Sequence, residues 1–352
     1  MHLPAAAQPD AALPEAAGDA TGPEAELLRF SGRALGSQLK LFISAPTDAA
    51  PDALRGRAEA AWSAVVGEFS AVDAALSRFR EDSELTALNR LAGSGRIALV
   101  SWRLRTMLAI VHRAGRLTGG RFDASVLEAL ERLGEHGASL VGVDVPALRS
   151  SPDGHVPLVD PETTRASLVH IPDLPVDSGG IGKGLALRWA AAAAMASLPE
   201  TAGLLLDAGG DIVSAGTAPT EGWAVGVEDP IAALDEAADP LAVYSIFTGG
   251  VSTSSVAVRN WTAADGGVVH HLVDPVTRQS ARTGLIAVTV AGPDPAWNEV
   301  WSKALFLGGS ESIGEEARRR GLAAWWVDER GRLGMTPEAR VRSSWIAEER
   351  VG

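Results

Sequence analysis

The segment of this chain best suited to chemistry is a glycine-rich turn that ends in a lysine. Residues 179–184 read Gly-Gly-Ile-Gly-Lys-Gly and precede an alanine-rich helical pattern. Successive glycines let backbone N–H groups point at an anion at the start of a helix, and Lys183 adds a positive charge suited to phosphate. The turn is neither a P-loop nor a dinucleotide-binding fingerprint. A tight turn that packs a helix onto a sheet explains the same residues, so both interpretations stay open.

Two further segments could contribute polar groups to such a site. Gly209 and Gly210 follow a short apolar run and precede Asp211, an arrangement that a hairpin turn also explains. Thr253 and Ser254 lie in a hydroxyl-rich stretch and could donate hydrogen bonds to phosphate oxygens or cap their own turn. Neither segment identifies a ligand by itself.

A base could come from the sequence His-His-Leu-Val-Asp-Pro at residues 270–275. It places the imidazole of His271 and the carboxylate of Asp274 around one bend. Such a pair could deprotonate a hydroxyl nucleophile. A solvated turn is the alternative explanation.

Alternating helical and strand patterns must position these segments. Apolar spacing predicts helices over residues 53–76, 102–117, 295–307 and 310–320, and one from residue 185. Short apolar or alternating runs predict strands near residues 39–43, 204–206, 223–227, 243–247, 287–291 and 323–327. Either Asp82 or Ser83 is expected to cap a short helix. Since no linker or repeat divides the pattern, we expect a single α+β domain.

Composition excludes several classes of function. The 352 residues are 46% hydrophobic, enough for a sizeable core, and the net charge of −13 argues against nucleic acid or an anionic membrane as the main partner. The chain has no cysteine, which excludes disulfides, thiolate metal sites and cysteine nucleophiles. Neither a secretory signal nor a membrane segment is predicted, so we expect a cytoplasmic protein. Residues 1–25 have the composition of a disordered tail.

The order and spacing of the motifs resemble those of the ApbE family, the FAD:protein FMN transferases. The similarity extends from Phe30 onward and is carried by residues 34–37, 77–90, 118–126, 177–184, 209–212, 223–230, 253–254 and 271–277. It implies one ApbE or T-fold-like α+β domain over residues 26–345, with antiparallel sheets and packed helices. Members of the family cleave FAD between its phosphates, attach FMN to a threonine of an acceptor flavoprotein and release AMP, and some hydrolyse FAD instead.

The resemblance also implies roles for individual residues. His271 and Asp274 would activate the acceptor hydroxyl. The residues expected to bind FAD are Ser83, Glu84, Asp123, Asp177, Gly180, Gly182, Lys183, Gly184, Gly209, Gly210, Asp211, Thr253, Ser254 and Lys303. A magnesium ion would bind at Gly182 and Glu299.

The late helix departs from the family pattern at this metal site. Relatives carry Asp and Thr as magnesium ligands where this chain has Glu299 and Lys303. A lysine has no acceptor atom for a cation. The two residues could form an ordinary i,i+4 pair worth about 0.3–0.5 kcal/mol, or the ammonium could replace magnesium. An FAD pyrophosphatase and a flavin-binding carrier without catalysis therefore stand as alternatives to the transferase.

Overall fold

The computed structural model describes residues 25–46, 51–140, 149–151, 167–232, 238–263 and 266–352. The predicted tail lies outside these residues except for its last member, Ala25, which begins the first strand. The strands are β1 Ala25–Ala34, β2 Ser37–Pro46, β3 Ile97–Val100, β4 Arg149–Ser151, β5 Ser167–His170, β6 Gly203–Ala208, β7 Asp211–Gly216, β8 Trp223–Val227, β9 Ala242–Ile246, β10 Gly249–Ser255, β11 Asn260–Thr262, β12 Val268–His270, β13 Leu285–Gly292, β14 Ala323–Asp328, β15 Leu333–Met335 and β16 Ser343–Ile346.

The helices are α1 Pro51–Leu76, α2 Glu84–Asn89, α3 Trp102–Leu117, α4 Leu127–Arg132, α5 Gly182–Met195, α6 Pro295–Gly308, α7 Ile313–Arg319 and α8 Pro337–Arg342. A short 3₁₀ helix, Glu348–Arg350, lies near the C-terminus. In the described residues, no helix is both long enough and apolar enough to cross a bilayer.

An eight-stranded antiparallel sheet forms the centre of the molecule, in the order β1-β2-β6-β7-β10-β13-β14-β15. Three small sheets surround it: β16-β9-β8, β4-β3-β5 and the hairpin β11-β12. Antiparallel sheets with helices packed against them make an α+β fold, which confirms the predicted fold class.

Helix α5 lies between α1 and the sheet, and this position explains its alanine-rich sequence. It contacts α1, α6, β6 and β7. Gly184 has no room for a side chain, because a Cβ there would lie 2.6 Å from Cα of Ala296 on α6. Helix α1 presents a buried apolar stripe with helical spacing, formed by Leu54, Ala58, Ala61, Val65, Phe69 and Val72. Contacts with α1, α6 and the sheet therefore fix the position of the start of α5.

Three element boundaries differ from the sequence predictions in ways that bear on function. Helix α5 begins at Gly182 and not at Leu185, so Lys183 lies in its first turn. The hydroxyl-rich stretch that we considered as a turn is mostly strand β10, with the side chains of Ser252 and Ser254 buried. Helix α7 begins at Ile313, three residues later than Ser310. The helix predicted over residues 102–117 is confirmed.

Candidate active site

A shallow cleft of about 50 Å³, open to solvent, lies beside the glycine-rich turn. Four parts of the chain form its walls: residues 121–135, the turn that precedes α5, the C-terminal half of α6 and residues 259–273. Its polar lining residues are Arg121, Asp123, Glu135, Asp177, Arg259, His271 and Lys303, and the apolar ones include Phe122, Val126 and Leu272. The cleft combines an apolar floor with side chains of opposite charge, as small-molecule sites do.

The glycine-rich turn forms one wall of the cleft and depends on the small size of its residues. Oδ2 of Asp177 accepts a hydrogen bond from the N–H of Gly179 at 3.0 Å. A Cβ on Gly180 would lie 2.9 Å from the Phe122 ring and 3.3 Å from Cδ of Lys303. The N-cap residue of α5, Ile181, offers no side-chain hydrogen bond. The backbone at the start of this helix is thus brought close to the cleft.

Asp177 is the first member of a chain of ion pairs beside the cleft, formed by Asp177, Arg78, Glu135 and Arg259. Its Oδ1 lies 2.8 Å from Nε of Arg78, whose side chain is only 2% exposed. Arg78 also reaches Glu135, at 3.3 Å, and Glu135 in turn pairs with Arg259. Burial raises the pKa of Asp177, while Arg78 and the N–H of Gly179 act in the opposite direction. The chain links the wall at the glycine-rich turn to the wall that carries His271.

The hydrogen bond of His271 fixes its tautomer. Nδ1 lies 3.2 Å from the backbone carbonyl oxygen of Arg259. A carbonyl oxygen only accepts hydrogen bonds, so Nδ1 carries the proton and Nε2 keeps its free lone pair. Burial, with a further contribution from the positive charges of Arg259 and Lys303, lowers the pKa of His271 to about 3. The imidazole is therefore neutral at physiological pH and can accept a proton from a group in the cleft.

Asp274 lies close to His271 in sequence, but the structure gives it a different set of partners. Its Oδ1 accepts hydrogen bonds from the N–H groups of Val276 and Thr277, at 2.7 and 3.0 Å. Among the described contacts the partner of His271 is the Arg259 carbonyl and not the Asp274 carboxylate. Asp274 thus shapes the bend that follows His271, as expected of an Asp-Pro turn.

Lys183 and Asp211 form an ion pair behind the glycine-rich turn. Partial burial opposes the charge of Lys183, but the carboxylates of Asp211 and Glu299 outweigh it and raise the pKa of the ammonium. Oδ1 of Asp211 also accepts a hydrogen bond from the N–H of Thr253 at 3.2 Å. The β6–β7 hairpin turns at Gly209 and Gly210, which both have positive φ angles, and this turn places Asp211 at the start of β7.

The two hydroxyl groups predicted to bind FAD are engaged with other hydroxyls in the structure. Thr253 Oγ1 lies 2.9 Å from Thr289 Oγ1, and Ser254 Oγ lies 2.8 Å from Ser302 Oγ on α6. Ser254 is 2% exposed. Both residues lie on β10 next to the Lys183–Asp211 pair and not among the residues that line the cleft.

Glu299 is 2% exposed, and both of its carboxylate oxygens have partners. Oε2 accepts a hydrogen bond from the N–H of Gly184 at 2.8 Å, and Oε1 lies 3.4 Å from the ammonium of Lys303. Burial raises the pKa of Glu299, and the positive charge of Lys303 opposes that shift. The described residues contain no cluster of three or more His, Cys, Asp or Glu side chains that could hold a metal ion. As placed, the Glu299 carboxylate has no oxygen free for the magnesium ion that Gly182 and Glu299 were expected to bind.

The remaining predicted site residues have structural partners. Ser83 is fully buried and caps α2, because its Oγ accepts a hydrogen bond from the N–H of Thr86 and donates one to the carbonyl of Ser77. Oε2 of Glu84 accepts hydrogen bonds from the N–H and the hydroxyl of Ser101. Asp123 lines the cleft and accepts hydrogen bonds from Ser125.

Several residues of the cleft were not among the predicted site residues. They are Arg121, Phe122, Glu135 and Arg259, together with Arg78, which lies behind the lining and pairs with Glu135 and Asp177. Arg78 and Phe122 lie inside motifs that carry the family resemblance, which was an available signal. Glu135 and Arg259 carry no local pattern, since their significance arises only from the pairing of residues that are 124 positions apart.

Comparisons with known proteins agree with the sequence resemblance. A sequence model described as the ApbE family matches residues 36–326. A protein named FAD:protein FMN transferase from Klebsiella pneumoniae (strain 342) is 27% identical over 324 residues, which are 88% of each chain. A protein with the same name from Escherichia coli (strain K12) is 28% identical over 280 residues, 75% of each chain.

Solved structures share the fold. The crystal structure of the ApbE protein from Thermotoga maritima has a TM-score of 0.71 and 24% sequence identity, and it covers 91% of this chain and 100% of the other. The flavin transferase ApbE from Vibrio cholerae has a TM-score of 0.69 and 18% identity, with the same coverage.

Proposed function

The chain belongs to the ApbE family, and from that premise we propose that it is an FAD:protein FMN transferase. The enzyme takes FAD as a substrate, transfers its FMN half to a hydroxyl group of an acceptor flavoprotein and releases AMP. The observation that carries the proposal is the match of the family over residues 36–326, together with full-length relatives that bear this name. The cleft supports the proposal, because it is lined by His271, the residue expected to act on the acceptor hydroxyl, and this histidine is neutral.

The reaction is an in-line displacement at phosphorus. The oxygen of the acceptor hydroxyl forms a bond to the phosphorus of the FMN half, and the bond from that phosphorus to the bridging oxygen breaks. The bridging oxygen leaves with its electron pair as part of AMP. The hydroxyl proton passes to a base. Catalysis of such a step depends on positioning and on neutralisation of the phosphate charge.

We assign the base to Nε2 of His271. The Arg259 carbonyl holds the proton on Nδ1, which leaves the lone pair of Nε2 free to accept a proton. Asp274 positions the histidine through the bend at residues 274–278 and does not itself take the proton. Arg278 supports the same bend, because its guanidinium donates a hydrogen bond to the carbonyl oxygen of Ser125 at 2.8 Å.

We assign the pyrophosphate to the start of α5. The backbone N–H groups of Gly180 and Lys183 and the ammonium of Lys183 would face it, since this segment combines glycines, a helix N-terminus and a lysine. Asp211, Gly209, Gly210, Thr253 and Ser254 would support this arrangement through the β6–β7 turn and β10. Asp123 and Asp177 line the cleft and would contact the substrate directly. Ser83 and Glu84 would act indirectly, through the cap of α2.

We derive no step through magnesium, because the donor atoms of Glu299 are already engaged. We also propose that the acceptor hydroxyl belongs to a threonine and that the protein is cytoplasmic. No feature of the site favours hydrolysis or simple flavin carriage over transfer.

The function is tested with purified protein, FAD and a flavoprotein acceptor that has the threonine for FMN attachment but has been prepared without FMN. AMP release is followed by chromatography, and the mass of the acceptor is measured intact. Transfer predicts an acceptor heavier by one covalent FMN for each AMP released. AMP release without a change in acceptor mass would instead identify an FAD pyrophosphatase.

A further inference from the structure

Lys303 places a positively charged side chain in the wall of the cleft. Its side chain is 17% exposed and lines the cleft. The methylene Cδ lies against Gly180, and the ammonium lies 3.4 Å from Oε1 of Glu299. The same positive charge acts on Asp177 and on His271. The ammonium is therefore placed between the glycine-rich turn, two carboxylates and the base that we assigned.

The carboxylate that pairs with Lys303 has no oxygen free for a divalent ion. Magnesium requires near-octahedral oxygen coordination at about 2.0–2.1 Å. Glu299 uses one oxygen for the N–H of Gly184 and the other for Lys303. The hydroxyl of Ser302 donates to the carbonyl of Glu299 at 3.0 Å and also contacts Ser254. A metal ion at this point would have to displace the ammonium as well as these hydrogen bonds.

We infer that Lys303 is the cation that neutralises the pyrophosphate of FAD in this cleft, so that the protein binds and cleaves FAD without a divalent metal ion. This inference rests on the proposed function, because it assigns a role within the same reaction. Lys303 donates its N–H groups to non-bridging phosphate oxygens. It stabilises the negative charge that develops on the departing AMP, and it neither gives up a proton nor forms a covalent bond.

Glu299 holds the ammonium in place in this arrangement. Gly184 fixes the carboxylate from the first turn of α5, and the carboxylate fixes Lys303 from one helical turn earlier on α6. Lys303 is thereby positioned relative to the same helix start that we assign to the phosphates. A purely structural i,i+4 pair would stabilise α6 without affecting the response of the protein to metal ions. The response to metal ions is therefore the property to measure.

The experiment compares the full-length protein in chelator with the same protein in Mg²⁺. FAD binding is measured by flavin fluorescence and FAD cleavage by AMP release in the presence of an acceptor. The wild-type protein is expected to give dissociation constants and rates that agree within about twofold in the two buffers, since its cation is built in. Mn²⁺ titrated into wild-type protein and followed by electron paramagnetic resonance is expected to remain unbound.

The variants separate a catalytic role of Lys303 from a structural one. Lys303→Thr is expected to weaken FAD binding in chelator by about 10–100-fold, as for the loss of one charge-assisted hydrogen bond. It frees Oε1 of Glu299 and adds a hydroxyl oxygen, so Mg²⁺ is expected to restore part of the binding. Lys303→Arg retains the charge and is expected to remain insensitive to chelator. Arg105→Met, which removes an exposed cation from helix α3 away from the cleft, serves as the control and is expected to leave the metal response unchanged.

The outcomes distinguish this inference from the proposed function. Wild-type protein that loses AMP release in chelator and regains it with Mg²⁺ would overturn the inference and leave the transferase assignment intact. FAD binding that is insensitive to chelator and dependent on Lys303, but without AMP release in either buffer, would support Lys303 as the cation that binds the pyrophosphate and would contradict both metal-free cleavage and the transferase assignment. If Lys303→Thr fails to fold, tight Mn²⁺ binding by the wild-type protein would still overturn the inference.

Discussion

The ammonium of Lys303 lies 3.4 Å from the buried carboxylate of Glu299, one turn earlier on the same helix. The chain contains only three lysines, and all three belong to one connected group of charges. Lys40 faces Asp207 across strands β2 and β6, Lys183 pairs with Asp211, and the charge of Lys183 also acts on Asp207 and Glu299. Lysines are thus concentrated around the start of α5, the segment to which we assign the phosphates.

Replacement of the base should abolish turnover while leaving FAD binding in place. His271→Asn keeps a polar side chain but removes the lone pair of Nε2. We expect the rate of AMP release to fall by about 10²–10⁴-fold, the usual contribution of general base catalysis. The affinity for FAD, measured by flavin fluorescence, should change little. A rate of AMP release within about threefold of the wild-type rate would contradict the assignment of His271 as the base.

Acid should destabilise the protein partly through His271. The unfolded chain takes up a proton on this residue near the ordinary pKa of 6.5, whereas the folded protein does so only near 3. Between these values the unfolded state binds more protons, so stability is lost as pH falls. Urea unfolding of wild type and His271→Asn between pH 7 and 4 should therefore diverge, by at most about 1.4 kcal/mol per pH unit. Parallel curves would show that the pKa of His271 is not depressed.

Breaking the buried charge chain should be costly. Arg78→Met removes a guanidinium that is 2% exposed and leaves Glu135 and Asp177 without their shared partner. Loss of one member of a buried ion pair costs about 3–5 kcal/mol, so chemical denaturation should show a large drop in the free energy of unfolding. Arg340→Met, which removes a pair on the surface, is the control and should cost at most about 1 kcal/mol. Equal losses for the two variants would contradict the proposed importance of the chain.

Gly180→Ala should narrow the cleft. The added Cβ would lie 2.9 Å from the ring of Phe122, so the ring or the turn must move. We expect weaker FAD binding, detectable by fluorescence titration. Gly67→Ala on helix α1 is the matched control, because its Cβ meets no atom within 4 Å. The control should bind FAD normally and gain up to about 1 kcal/mol of stability. An unchanged affinity of Gly180→Ala for FAD would contradict FAD binding in the cleft beside Gly180.

Sequence patterns predicted the framework of the fold well, because long amphipathic helices and short apolar strands follow local rules. Helix Trp102–Leu117 and strand Trp223–Val227 have the predicted bounds. The sequence pattern predicted that α5 starts at Leu185, three residues later than it does, because glycines are unfavourable in a helix interior. Here Gly184 is required because α6 packs too close to it for a side chain. Close contact between distant helices overrode the local preference.

The candidate site was less predictable than the fold, because its partnerships link distant parts of the chain. The His271 motif was recognised, but its partner is a backbone carbonyl at Arg259 and not the carboxylate three residues later. A carbonyl leaves no trace in the pattern of side chains. Glu135, which joins Arg78 to Arg259, likewise has no motif of its own. The substitution at Lys303 was visible in the sequence, whereas the engagement of both Glu299 oxygens required the structure.

The most direct test of the central claim is the intact mass of a threonine-bearing flavoprotein acceptor after incubation with the protein and FAD, with AMP measured in the same sample. The account predicts one covalent FMN on the acceptor for each AMP released, and neither product with His271→Asn. An acceptor of unchanged mass, with FAD recovered intact from a protein that binds it, would contradict the assignment as a transferase.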